Sequence, residues 1–85
     1  MDIREIFARN LRSARRACGY SQEELAHRAD LDRTYISSLE RNVYSATLDV
    51  VDRLARALSV EPGALLDRGL PDFTNLRTPD SDKTE

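Results

Sequence analysis

The stretch from Gln22 to Arg41, QEELAHRADLDRTYISSLER, constrains the fold of this chain more than any other. It reads as two short helices set at an angle across a tight turn. Leu25, Ala29, Leu31, Ile36 and Leu39 are apolar where such a pair must bury a shared core, and Ala26 is small where the second helix crosses the first. Local signals agree with the pattern. Ser21 followed by Glu24 forms a capping box that starts the first helix at Gln22. Asp32 is the expected N-cap of the second, its carboxylate also favouring the positive end of the helix. Asn42 suits a left-handed C-terminal cap. Asp30 stands where such a turn usually holds Gly, and Asp tolerates positive φ better than most residues.

Between its apolar positions the second helix carries Asp32, Arg33, Thr34, Tyr35, Ser37 and Ser38, all able to hydrogen-bond. That is a surface for reading base edges, so the pair is read as a helix-turn-helix. The start of a recognition helix points into the major groove, where all four base pairs are distinguishable. Arg33 is the leading base reader, aimed at O6 and N7 of guanine; the alternative is a surface charge that only neutralises phosphate. Thr34 can donate, accept or pack on a thymine methyl. Ser37 and Ser38 lie one turn on, with Ser38 expected on the face of Thr34. Tyr35 is either a DNA contact or an edge of the core. Phosphate contacts are expected from Gln22 and the amides opening its helix, and from Asn42, Tyr44 and Thr47.

From Leu31 to Asn42 the run LDRTYISSLERN resembles the XRE family of helix-turn-helix proteins, those like phage lambda repressor and Cro. It is particularly similar to the controller proteins of bacterial restriction–modification systems. The resemblance extends from about Ile3 to about Leu66. It implies an all-α fold, a compact five-helix lambda-repressor-like DNA-binding domain with a short disordered C-terminal tail. It also makes Gln22 a phosphate clamp, and it matches Arg15 and Glu40 to a salt bridge between the first helix and the end of the third. That pair would hold the recognition helix to its scaffold, and removing one partner of a buried pair costs on the order of 3–5 kcal/mol. One departure is that the Val43–Ala46 loop lacks the Lys or Arg often found there.

The flanks supply the remaining helices. A first helix is expected from about Ile3 to Ala17, with Ile3, Phe7, Leu11, Ala14 and Cys18 in one apolar stripe widened by Ile6, and Gly19 as its cap. Arg4, Arg9, Arg12 and Arg16 lie off that stripe, as a solvated face or as flanking phosphate contacts. Thr47 can cap a fourth helix through Leu58, buried along Leu48, Val51, Leu54, Ala55 and Leu58. Pro62 opens a short fifth helix, about Gly63–Asp67. Residues 1–68 are therefore read as a DNA-binding and dimerisation domain and 69–85 as a flexible acidic tail.

Charge bounds the mode of binding. The net charge is −2. Residues 1–60 carry ten arginines against nine acids, and residues 61–85 three bases against six acids. A near-neutral domain has no broad basic field, so affinity must come from a few placed contacts, helix N-termini and dimerisation. One recognition helix reads too few base pairs for a unique site, so a homodimer is expected on an inverted repeat, its helices about 34 Å apart. Val60, Pro62, Leu65 and Leu66, joined by residues of the fourth helix, are the candidate dimer surface, with one of the two leucines closing the monomer core instead.

Other chemistry finds little support. His27 has no Cys, His or carboxylate at ligand spacing, so no metal site is expected. Cys18 is single, which excludes an internal disulfide and fits a buried apolar residue. No catalytic constellation and no cofactor motif is present. The sequence has no long apolar run or export signal, so neither membrane nor secretion is indicated and cytoplasm is expected.

Double-stranded DNA is thus the expected partner. Controller-like relatives imply self-regulation, activating at low concentration and repressing at high, with RNA polymerase as a further partner and Glu23 and Glu24 as the patch it would touch. Solvation and capping account for those two acids equally well. Two other classes stay open: an antitoxin that neutralises a toxin through its tail, and a protein-interaction module with degenerate DNA binding.

Overall fold

Left-handed residues end the first four helices. The computed structural model describes residues 2–73, and within them the order is α1 Ile3–Cys18, α2 Gln22–Ala29, α3 Arg33–Glu40, α4 Leu48–Leu58 and α5 Pro62–Leu65. Gly19, Asp30, Asn42 and Ser59 all have φ between 59° and 79°. In each case the left-handed residue donates its amide to the carbonyl three back, and the next amide donates to the carbonyl five back, at 2.8–3.2 Å. The last carbonyls of α1 to α4 are thereby satisfied, and the chain reverses sharply enough to lay each helix across its predecessor.

The starts are less uniform. Ser21 Oγ accepts from the Glu24 amide at 3.0 Å and Thr47 Oγ1 from the Val50 amide at 3.1 Å. The capping box expected at Ser21 is only half made. Glu24 turns its carboxylate to Arg28, four residues on, at 2.7 Å. The complete box sits instead at the start of α1, where Asp2 accepts from the Arg4 and Glu5 amides and Glu5 takes the Asp2 N–H. Those amides, that of Glu5 foremost, hold the Asp2 carboxyl below its usual pKa. Asp32 has the extended backbone of an N-cap but makes no side-chain cap hydrogen bond, so the capping bond expected there is absent.

The core runs through all five helices. Phe7, Leu11, Ala14 and Cys18 of α1 meet Leu25 and Ala29 of α2, Ile36 and Leu39 of α3, and Leu54, Ala55 and Leu58 of α4. Burying each of the large aliphatic side chains contributes about 1.5–3 kcal/mol. Two residues expected in the stripes lie outside it. Ile3 is 45% and Leu48 82% exposed. Both stand in the first turn of a long helix, on the right face but beyond the reach of the packing below.

The packed unit also runs further than residue 68. Phe73 is buried and joins the core, after a turn in which the Gly69 amide donates to Asp67 Oδ1 at 2.8 Å. The flexible tail was expected to begin at 69, whereas Phe73, inside that stretch, is packed on the core. The rest of the expected tail, residues 74–85, lies outside the described residues. Asn10, 1% exposed on α1, closes the end of α5: its Nδ2 donates to the carbonyls of Leu65 at 3.1 Å and Asp67 at 2.9 Å. Arg9 adds a second donor to Asp67.

Candidate nucleic-acid interface

α3 buries Ile36, Ser38, Leu39 and Glu40 and turns Arg33 and Thr34 outward, with Ser37 half-exposed beside them. Four-residue spacing continues the outward row to Arg41, which is also exposed. Arg33 and Arg41 have no partner among the described residues. Arg28, Arg53 and Arg56, by contrast, are paired with Glu24, Asp49 and Asp52 on their own helices. Arg33 and Arg41 thus put two uncommitted cationic groups on the outward row of α3. Arg41 was not among the expected readers because it caps the helix, yet its spacing from Arg33 and Ser37 marks it.

Ser38 does not belong to this face. It is 5% exposed, and the chain turns back over it as the Val43 amide bonds its carbonyl at 2.9 Å. A base edge cannot reach it. Tyr35 is half-buried against the core, its ring tilted 45° to that of Tyr44 at 6.5 Å. Tyr44 itself is 59% exposed.

The opening of α2 is tied to the end of α3 through one carboxylate. Glu40 receives Arg15 through two bonds, Nε to Oε2 at 2.7 Å and Nη2 to Oε1 at 3.0 Å. The pair is largely buried, with Arg15 12% and Glu40 3% exposed at the side chain. Arg15 also donates to the Tyr20 carbonyl, and Arg12 to the carbonyl of Glu40. Gln22, first residue of α2, donates Nε2 to Glu40 Oε1 at 3.1 Å.

Of the other residues expected at phosphate, Thr47 is exposed at the start of α4, its oxygen used as a cap and its hydroxyl hydrogen still able to donate. Asn42 is half-buried, with Oδ1 enclosed and its backbone amide given to Leu39. Only Nδ2 is left to donate, so its main work is the left-handed turn.

Among the dimer candidates, Leu65 is fully buried in the core and is removed from that surface. Val60 packs partly against the core and Pro62 is exposed at the first position of α5. Leu66 lines an open groove of about 210 Å³ with Ile3, Phe7, Tyr44, Leu48 and Val51.

Cys18 donates its thiol to the Leu58 carbonyl at 3.7 Å. Burial pushes its pKa up, against a smaller opposing effect of the Arg28 guanidinium, so the nucleophilic thiolate is disfavoured. His27 is exposed on α2, and no cluster of metal-ligating side chains occurs among the described residues. No helix among them is long and apolar enough to cross a membrane.

A family model described as helix-turn-helix matches residues 11–65, which spans α2, the turn and α3 with their packing partners. The chain belongs to the XRE-type helix-turn-helix family. It is 47% identical over 68 residues to control protein C.SmaI of Serratia marcescens, covering 80% of this chain and 81% of that one. Control protein C.BamHI of Bacillus amyloliquefaciens is 42% identical over 67 residues, with coverage of 78% and 83%. The solved restriction–modification controller protein C.AhdI of Aeromonas hydrophila superposes with a TM-score of 0.71 at 40% identity, covering 73% of this chain and 94% of that one. The hypothetical transcription factor NHTF from Neisseria gives 0.76 at 42%, covering 78% and 76%. This XRE-type protein is accordingly a DNA-binding transcriptional regulator, of a class whose members are not enzymes.

Proposed function

We propose that this protein is a sequence-specific regulator that binds an inverted-repeat operator as a homodimer and controls its own promoter through its concentration. The observation that carries this reading is the outward row of α3. Arg33, Thr34, Ser37 and Arg41 project from a helix locked at its far end by the buried Arg15–Glu40 pair. Side chains not already committed to protein partners, on a helix held in place, suit base readout, since the backbone that carries them needs no ordering on binding. Gln22, Thr47 and Tyr44 flank the row as phosphate contacts, with Nδ2 of Asn42 as a lesser one. Relatives named as control proteins, and a solved one named as a restriction–modification controller protein, favour the autoregulatory reading over the antitoxin and interaction-module alternatives.

The second copy is assigned to the groove edged by Leu66, where Ile3, Tyr44 and Leu48 leave apolar surface in water. Tyr44, Ser45 and Ala46 of the loop between α3 and α4 line the same groove. RNA polymerase remains a candidate partner through the exposed Glu23.

Footprinting on the DNA upstream of the protein's own gene tests the whole reading. Protection of an inverted repeat, in steps that follow concentration and vanish with Arg33→Ala, is the expected outcome. A wild-type protein that protects nothing at low salt overturns it.

A further inference from the structure

We infer that Glu40 is a positioning residue for DNA binding, acting through Gln22 rather than by touching DNA. This rests on the DNA-binding reading above and adds a division of labour to it. The first helix of a helix-turn-helix crosses the phosphate backbone, and Gln22 opens that helix. A glutamine in this place is neutral and rotatable about three side-chain bonds, so free in water it would bind phosphate only after losing that freedom.

Here it is already held. Gln22 Nε2 lies 3.1 Å from Glu40 Oε1, an oxygen it shares with Arg15 Nη2 at 3.0 Å. A carboxylate only accepts, so the amide group must turn its NH2 and not its oxygen toward Glu40. One N–H is thereby spent, and the second is fixed in the plane of the same amide. The fixed N–H is the donor left for a phosphate oxygen. Arg15 neutralises the carboxylate, so the acid that does the orienting presents little net charge to DNA. A single buried carboxylate thus links α1, the start of α2 and the end of α3, and sets the donor on α2 in register with the readers on α3.

Electrostatics and positioning predict opposite signs for one substitution. Glu40→Gln removes a negative charge close to the DNA face and leaves Arg15 less neutralised, which by charge alone strengthens binding to a polyanion. Positioning predicts the reverse. Glutamine at 40 keeps one oxygen for three donors that had two and removes the charge that strengthens each bond, so the hold on Gln22 weakens and its orientation is loosened.

The experiment is a double-mutant cycle of Glu40→Gln and Gln22→Ala, using the full chain and a duplex selected by wild type from a random pool. Binding is measured across salt at a temperature where circular dichroism shows each variant folded. Gln22→Ala should weaken binding about tenfold with the salt slope unchanged, because a neutral donor releases no counterion. Glu40→Gln should weaken binding several-fold in the wild-type background and have no weakening effect once Gln22 is Ala. Equal weakening in both backgrounds would mean a tilt of α3, and tighter binding in both would mean charge alone; either overturns the inference.

Gln22 is the only glutamine in the sequence, so its side-chain amide is assignable by nitrogen NMR in the free wild type. It should be as rigid as the helix backbone. Mobility like that of an exposed side chain overturns the inference even if no variant at 40 folds. Wild type that selects no duplex defeats the DNA-binding reading itself, and a rigid Gln22 amide in that protein would show which of the two had failed.

Discussion

Arg33 and Arg41 stand on the same outward row of α3, at opposite ends of the helix. The N-terminal end of a recognition helix meets base edges, while its far end runs out toward the backbone. Arg33→Ala should therefore cost about 1–3 kcal/mol and relax the preference at one base pair of each half-site. Arg41→Ala should weaken binding to all sequences alike and lower the salt slope by about one for each protomer. Competition titrations across salt separate the two, and a sequence preference lost with Arg41 instead would exchange their roles. A second residue-scale effect concerns the backbone. Ser59 ends α4 at φ 61°, where a Cβ costs about 1–2 kcal/mol, more than the roughly 0.5–1 kcal/mol that glycine's extra freedom removes. Ser59→Gly should raise Tm by a few degrees, and an unchanged or lower Tm would refute the strain. The outward placement of Arg33 and Thr34 was legible in the sequence because polarity and register mark it. The burial of Ser38 was not, since it depends on where the chain returns after Asn42.

Elements in this chain are defined by their ends. Gly19, Asp30 and Asn42 were readable as left-handed caps because short residue types announce positive φ, whereas Ser59 carries no such signal and went unmarked. The helix starts show the limit of local pattern. Ser21 and Glu24 have the spacing of a capping box, but Arg28 one turn later competes for the carboxylate and takes it at 2.7 Å. Asn10 could not be read at all, because its partners lie more than fifty residues away. It substitutes for a C-cap on a helix of one turn that cannot hold itself. Asn10→Ala strips the carbonyls of Leu65 and Asp67 of a buried donor, at a cost of about 1–3 kcal/mol. Thermal unfolding should show Tm lowered by roughly 5–15 °C, and protection against native-state hydrogen exchange should fall first in α5. The Arg15–Glu40 pair spans elements too. Glu40→Ala strands a guanidinium that is 12% exposed and should cost on the order of 3–5 kcal/mol; an unchanged Tm would deny the pair its structural role.

At the scale of the whole molecule the constraint is charge. With acids and arginines nearly balanced through residue 60, and most surface arginines on α2 and α4 paired within their helices, a single copy has little to draw it to DNA. In the proposed dimer two copies would add their contacts and raise the steepness of the response to concentration, which would make the apolar edge of the monomer matter as much as the reading helix. That edge was hidden in the sequence because Leu48 and Ile3 fit the buried stripes of their helices. Only the lengths to which α1 and α4 outrun the core leave them in water. Leu48 is the sharpest probe, since at 82% exposure it contributes almost nothing to the monomer's own packing. Leu48→Glu should leave the stability of the monomer within about 0.5 kcal/mol of wild type, while placing like charges against each other in any symmetric pair. Sedimentation at tens of micromolar should then give a monomer where wild type gives a dimer, and operator occupancy should rise less steeply with protein. A variant that still sediments as a dimer would move the interface away from this groove, toward Val60 and Pro62.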